Sequence, residues 1–295
     1  MPMKFLNSEA IRVFASGGMG NQIFQFAFSA FLKQELNLMS EFLNLKVVRR
    51  IYHTNFDLIP FIDDKRFLSS TSSNFVKYFS YAVDPWHSLR MHSVWGQRFD
   101  FRFDHTVGPD SLPKFNNRSH IVGYFQNYEF VSKVGSIVLQ ILSKIVKKPT
   151  NPIFEDSNYE AIHIRGGDFL RPSNRNTIGS LGHDYYNSLL PKKSSCPRIV
   201  ITDDIHHAQT LLKEINIDMY FDSSNHDFRE SLFILGNARR IYIANSTYSW
   251  LGGFFGNEIN DAEVVQPIPF FRSGRLNYGV KLLNPNFQKF PSNWA

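Results

Sequence analysis

The chain has 295 residues, 43% hydrophobic and 20% charged, which is enough apolar content for a buried core and, at roughly 150 residues per domain, leaves room for two domains. One cysteine, Cys196, excludes an intramolecular disulfide or a thiolate cluster from one chain; no stretch approaches the roughly 18 apolar residues of a membrane span, and with no apolar leader run the chain reads as cytoplasmic. A net charge of +6 points to anionic partners such as nucleotides, nucleic acid or a lipid surface, but no stripe of Lys and Arg interleaved with aromatics argues for nucleic acid.

In chain order, IRVFA (11–15) is an apolar run that predicts a strand, and the glycine turn that follows leads into a helix carrying Ile23, Phe24, Ala27, Phe28 and Phe31 on its inward face. From about residue 50 to 118 the patterning weakens, and this stretch is assigned to shaping an acceptor site. A strand IVGYF (121–125) and a helix through Val131, Val134, Ile137, Val138 and Ile141 come next. The basic, proline-punctuated KKPTNP (147–152) is the linker candidate, dividing the chain into 1–150 and 151–295. The second half alternates strands YEAIHIR (159–165), RIVITD (198–203), IDMYF (217–221), RRIYIAN (239–245) and AEVVQ (262–266) with helical patterns. Ile205, Ala208, Leu211, Leu212 and Ile215 mark one helix, and Phe228, Leu232 and Leu235 another. Such alternation predicts βαβ units on a parallel sheet with helices on both faces and ligands bound beyond the carboxyl ends of the strands.

Four segments could carry chemistry. SGGMGNQIFQFAF (16–28) places Gly17, Gly18 and Gly20 between a strand and a helix, where a ligand could approach backbone amides; taken alone, such a motif is more often just a tight strand-to-helix turn, and Asn21 breaks the dinucleotide fingerprint. HIRGGDF (163–169) ends a strand, so His163, Arg165 and Asp168 emerge at the ligand edge. Arg165 has the planar fork that fits a phosphate, or it forms a structural ion pair with Asp168. In ITDD (201–204), Thr202 or Asp203 could cap a helix, the carboxylates of Asp203 and Asp204 could hold ribose or guanine, or the pair could bind a metal, the least favoured of the three. ANSTYSWLGGFFG (244–256) sets Asn245, Ser246, Thr247 and Ser249 at the positive end of a helix dipole, as phosphate donors or as caps. Three of these segments fall at consecutive strand ends of one predicted sheet, so one ligand could meet them all.

In order and character, GGMGNQIFQFAF, GYFQ (123–126), HIRGGDF, LGHDYY (181–186), ITDD and ANSTYSWLGG resemble the signature segments of the α-1,2-fucosyltransferases, glycosyltransferase family 11, over residues 17 to 253. The resemblance implies an α/β fold of GT-B type, two Rossmann-like domains with a cleft between them, the C-terminal half holding the donor. It implies inverting transfer of L-fucose from GDP-fucose to a hydroxyl of a galactose-containing oligosaccharide, with no cofactor and no metal. The acceptor would be lipid-linked in a bacterial cytoplasm, with peripheral contact to the membrane. The family's HxRRGD reads here with Gly166 in place of the second arginine, while Arg165 keeps the first; Arg171 or Arg175 in the following loop could replace the lost cation. Arg165 with Ser246, Thr247 and Ser249 is expected on the diphosphate; Gly18, Gly20, Asn21 and Gln22 are counted with the donor-binding residues, Asn21 and Gln22 offering hydrogen bonds to acceptor or donor hydroxyls. Asp168, ahead of His163, is the candidate base, unless none is needed. An NAD-dependent oxidoreductase and a non-catalytic nucleotide-sugar-binding protein are the competing readings.

Overall fold

The computed structural model describes residues 10–15, 17–44, 57–68, 99–101, 109–112, 120–274 and 281–295. Most of the 50–118 stretch assigned above to acceptor binding therefore lies outside the described residues. The chain divides into two compact units, Met1–Ile141 and Leu142–Ala295.

In the first unit, β1 (Ile11–Ala15), β2 (Ser40–Asn44), β3 (Phe99–Phe101) and β4 (His120–Val122) form a parallel sheet in the order β2-β1-β4-β3. The central strand β1 is buried along its whole length, which is why it reads as a continuous apolar run. Its one charge, Arg12, is 2% exposed and reaches Glu41 of β2 at 3.3 Å. Helix α1 (Met19–Gln34) has 13 of its 16 residues buried, so the expectation of a single inward face understates its position: it is enclosed nearly all round. Phenylalanines fill the space. Phe28 stacks on Phe125 with centroids 4.0 Å apart and meets Phe130 edge-on, while Phe26 meets Phe42 and Phe67.

The single helix expected through Val131 to Ile141 is two, α2 (Tyr128–Lys133) and α3 (Gly135–Ile145), separated at Val134, where the backbone leaves helical geometry (φ −116°, ψ 27°). Apolar spacing runs unbroken through the interruption because Val131, Val134, Val138 and Ile141 are all buried. The expected linker is pinned to the second unit: Lys147 pairs with Glu230 at 2.7 Å and Asp227 at 3.7 Å.

The second unit carries β5 (Glu160–Ile164), α4 (Pro172–Thr177), α5 (His183–Leu189), β6 (Arg198–Thr202), α6 (Ile205–Leu211), β7 (Met219–Asp222), α7 (Phe228–Asn237), β8 (Arg240–Tyr242), α8 (Thr247–Asn260), β9 (Glu263–Ile268) and β10 (Gln288–Pro291). Its six strands are parallel in the order β10-β9-β8-β5-β6-β7. The chain starts in the middle, winds outward through β6 and β7, then returns to the other side of β5 and winds outward again. The five expected strands are all present, and β10 is the addition; as a polar edge strand it carries no apolar run. Ile162, Ile164, Val200, Leu211, Leu212, Ile215, Tyr185, Tyr186 and Val265 form a core cluster, so the LGHDYY segment supplies packing through its two tyrosines. Below β5 and β6, a buried ion pair joins Arg198 Nε to Glu160 at 2.8 Å. Both units are thus α/β with parallel sheets, as the expected fold class requires of each.

Candidate functional site at the carboxyl edge of the second sheet

Strand order reverses between β5 and β8, and in doubly wound sheets the loops leaving such a pair splay apart and leave a crevice for a ligand. The loops after β5, β6 and β8, three neighbouring strands, are those that carry HIRGGDF, ITDD and ANSTYSWLGG.

Arg165 follows β5 directly, and its guanidinium is forked between two carboxylates, Nη1 to Asp203 at 2.7 Å and Nη2 to Asp168 at 2.6 Å. The two partners differ in kind. Asp203 is 16% exposed and also accepts the Gly166 amide at 2.7 Å, so it is fixed from two directions. Asp168 is 44% exposed and sits on a single 3-10 turn, Gly167–Leu170. Gly167 holds a left-handed φ of +47°, and a Cβ there would lie 2.8 Å from an Asp203 oxygen. At Gly166 a Cβ would lie 2.6 Å from the Cβ of Asp204, so any side chain at this position would have to displace the start of α6. Glycine at 166 is therefore matched to the neighbouring loop.

Asp204, rather than Thr202 or Asp203, is the helix cap: its side chain accepts the His207 amide at 3.0 Å, leaving it little freedom to hold a ribose or a base. Thr202 donates to the Asp204 carbonyl and accepts its amide, bracing the turn. His163 is 4% exposed inside β5, and its ring packs 5.8 Å from that of Tyr248. Burial, reinforced by the Arg165 charge, pushes its pKa down to about 3. It is a neutral core residue beneath the Arg165 loop, not a group placed to receive a substrate proton.

At the head of α8 the expected donors separate by role. Asn245 is 2% exposed and spends its amide on the Ile178 and Gly179 carbonyls, at 3.0 and 3.1 Å. Ser249 is fully buried and donates to the Ala244 and Ser246 carbonyls. Both are thereby structural. Ser246 is the N-cap residue but makes no side-chain cap bond, and with Thr247 it sits half-buried at the rim, where the amides of the first turn carry the positive end of the dipole.

In the first unit, Gly17 takes a left-handed φ of +77°, and the turn is closed by Gln22 Nε2 donating to the Gly17 carbonyl at 3.0 Å. Gln22 is fully buried, and its Oε1 accepts the Leu58 amide at 3.2 Å. It is a bracket between two loops, and Gly20 is buried in the first turn. Asn21 accepts from Gln126 at 2.9 Å, which joins the GGMGNQ and GYFQ segments, and nothing lies within 4 Å of a Cβ built on Gly18.

No family model matches the chain. It is 24% identical over 299 residues to an α-1,2-colitosyltransferase of Escherichia coli, covering 95% of this chain and 96% of that protein. It is 25% identical over 288 residues to the O-antigen biosynthesis glycosyltransferase WbnK of Escherichia coli, covering 87% and 93%. Among solved structures it is similar to a variant of Arabidopsis thaliana FUT1 in complex with GDP (TM-score 0.43, 13% identity, 87% of this chain and 69% of that one). It is similar also to the fucosyltransferase NodZ from Bradyrhizobium (TM-score 0.46, 9% identity, 84% and 93%). The chain is thus similar over nearly its full length to two bacterial glycosyltransferases, in keeping with its resemblance to the α-1,2-fucosyltransferases of glycosyltransferase family 11.

Proposed function

We propose that the chain transfers a 6-deoxy-L-sugar, L-fucose or its 3-deoxy form colitose, from a GDP-linked donor to a galactoside hydroxyl, inverting the anomeric centre to form an α-1,2 linkage. The observation that carries this reading is Arg165: a permanent cation at the carboxyl end of the first strand, where strand order reverses, with the α8 N-terminus following the adjacent strand β8. The name of the α-1,2-colitosyltransferase supports a deoxysugar and an α-1,2 linkage, that of WbnK supports glycosyl transfer, and both donor sugars stay in play.

As the glycosidic bond to GDP breaks, negative charge accumulates on the leaving diphosphate, and groups that meet it there lower the barrier. Arg165 supplies a bidentate cation, and the first-turn amides of α8 with Ser246 and Thr247 supply neutral donors, so the charge is met without a metal. The second unit is the donor side, and the first, through Gly18 and Asn21, the acceptor side. Asp168 is the carboxylate with the exposure to accept the acceptor proton once Arg165 turns to the phosphate, unless the loosened transition state needs no base. Among the described residues no helix is long and apolar enough to cross a membrane; the net charge of +6 favours peripheral contact with an anionic bilayer, where a lipid-linked glycan acceptor would sit.

The test is release of GDP from GDP-fucose and from GDP-colitose, with and without a β-galactoside, in EDTA. Acceptor-stimulated release is expected, lowered about 100-fold or more in Arg165→Ala, the scale for removing one charge-stabilising donor. Stimulation that needs a divalent ion, or that survives in Arg165→Ala, would overturn the assignment.

A further inference from the structure

In the first sheet, β2-β1-β4-β3, the chain winds outward from β1 to β2 and comes back to the other side of β1 with β4, so this sheet has its own reversal of strand order between β1 and β4. The loops that leave these two strands carry GGMGNQ and GYFQ. Helix α1 fastens them together. Gln25 Nε2 donates to the Gly123 carbonyl at 2.8 Å, the Phe28 ring stacks on Phe125, and Gln126 Nε2 donates to Asn21 Oδ1 at 2.9 Å. Phe125 holds a left-handed φ of 49°, a costly conformation for a bulky side chain, and its carbonyl accepts the amide of Asn127, the cap of α2, at 2.8 Å.

Gln126 is 6% exposed, and its Oε1 is buried with no hydrogen-bond partner among the described residues. A buried carboxamide that is only half paired stabilises a fold less than an apolar side chain of the same length, so what Gln126 contributes lies in its bond to Asn21. That bond turns Asn21 Oδ1 toward the β4 loop. Asn21 Nδ2 then lies against Gly17, where a Cβ would come within 2.7 Å of it, so glycine at this position leaves the amide its room. Next to it Gly18 is exposed, and the space around its Cβ position is empty to 4 Å. Neither segment, 16–28 nor 121–128, contains a charged residue.

We propose that Gln126 is a positioning residue for a neutral sugar: it holds the Asn21 carboxamide so that Nδ2 donates to a sugar hydroxyl oxygen over the open turn at Gly18, beside the first-turn amides of α1. A segment pair without charge suits a neutral hydroxyl, whereas a phosphate is met best by a fixed cation. The arrangement trades stability for a fixed donor, since the buried Oε1 of Gln126 is left unpaired to orient Asn21. That the hydroxyl belongs to the acceptor galactoside rests on the function proposed above; the neutral-sugar site does not.

The probe is methyl β-galactoside, titrated by ligand-observed NMR into the full chain saturated with GDP. Gln126→Met and Asn21→Ala are each expected to weaken its binding about fivefold, the scale of one hydrogen bond, with GDP affinity within about twofold of the parent. Because Gln126 acts through Asn21, the double variant should bind no more weakly than Asn21→Ala alone, a coupling that a general loosening of the loop does not give. Gln126→Met also removes the buried unpaired oxygen and should melt at or above the temperature of the parent. Gly18→Leu fits the extended backbone there (φ −70°, ψ 175°) and the empty space, so it should fold normally and block the sugar. If Gln126→Met weakens GDP-fucose and leaves GDP and the galactoside unchanged, the hydroxyl belongs to the donor sugar. The proposal is overturned by a parent that does not bind the galactoside, or by Gln126→Met leaving both sugar ligands within about twofold of the parent. Additive losses in the double variant, a lowered melting temperature in Gln126→Met, a parallel fall in GDP affinity, or unimpaired binding in Gly18→Leu would overturn it as well. Coupled loss of galactoside binding with no sugar transfer by the parent would overturn the proposed function and leave the positioning role standing.

Discussion

The two carboxylates on Arg165 should respond in opposite directions to the same change. In Asp203→Asn one oxygen still accepts the Gly166 amide, but the other becomes an NH2 facing the Arg165 Nη1 that now lies at 2.7 Å, donor against donor. At 16% exposure this loses a charge-assisted bond worth about 1.5–3 kcal/mol, and the arginine with it loses its orientation. GDP affinity should therefore fall about tenfold or more, at ~1.4 kcal/mol per decade, and the melting temperature by several degrees. Asp168 is 44% exposed, and an exposed pair contributes only about 0–1 kcal/mol. Moreover, it occupies the Nη2 face that an incoming phosphate needs. Asp168→Asn should leave stability nearly unchanged and GDP binding equal or tighter. Isothermal titration with GDP and thermal unfolding of both variants give the comparison, and GDP binding weakened more by Asp168→Asn than by Asp203→Asn would refute the division into a fixed and an exchangeable partner. Turnover adds a separate reading: if Asp168 is the base, its Asn variant loses about 100-fold or more in kcat with GDP affinity retained.

The Arg198–Glu160 pair is buried on both sides, 0% and 7% exposed, so Glu160→Ala leaves a guanidinium without its counter-charge and should cost about 3–5 kcal/mol in denaturant titration. A loss under 1 kcal/mol would mean that water reaches the site. His163 gives a pH dependence. Its pKa falls from an ordinary 6.5 to about 3 on folding, so below pH 6.5 the unfolded chain takes up a proton that the folded one does not. Its share of stability is complete above pH 6.5 and declines by up to ~1.4 kcal/mol per pH unit as the pH drops toward 3. His163→Phe should flatten that part of the stability curve, and an unaltered slope would place the acid sensitivity elsewhere.

The parallel strands of the second unit were legible because a strand covered on both faces must be apolar along its length, as IVIT and AIHI are. The same physics hid β2 and β10, edge strands reading SEFLN and QKFP, whose pairing depends on what lies alongside and not on their own patterning. Glycines and polar residues at the ends of apolar runs likewise mark the loops at the carboxyl edge of the sheet. Residue type at a strand end was thus readable, but which of those side chains remains available to a ligand was not. Asn245 spends its amide on carbonyls 66 and 67 positions away, Gln22 on an amide 36 away, and adjacent Asp203 and Asp204 divide into an arginine partner and a helix cap. Local patterning selects strands and helices because burial acts on each residue's own neighbours along the chain. The choice of hydrogen-bond and ion-pair partners is made between segments that only the folded sheet brings together, and that choice decides which groups hold the fold and which are left to meet a substrate.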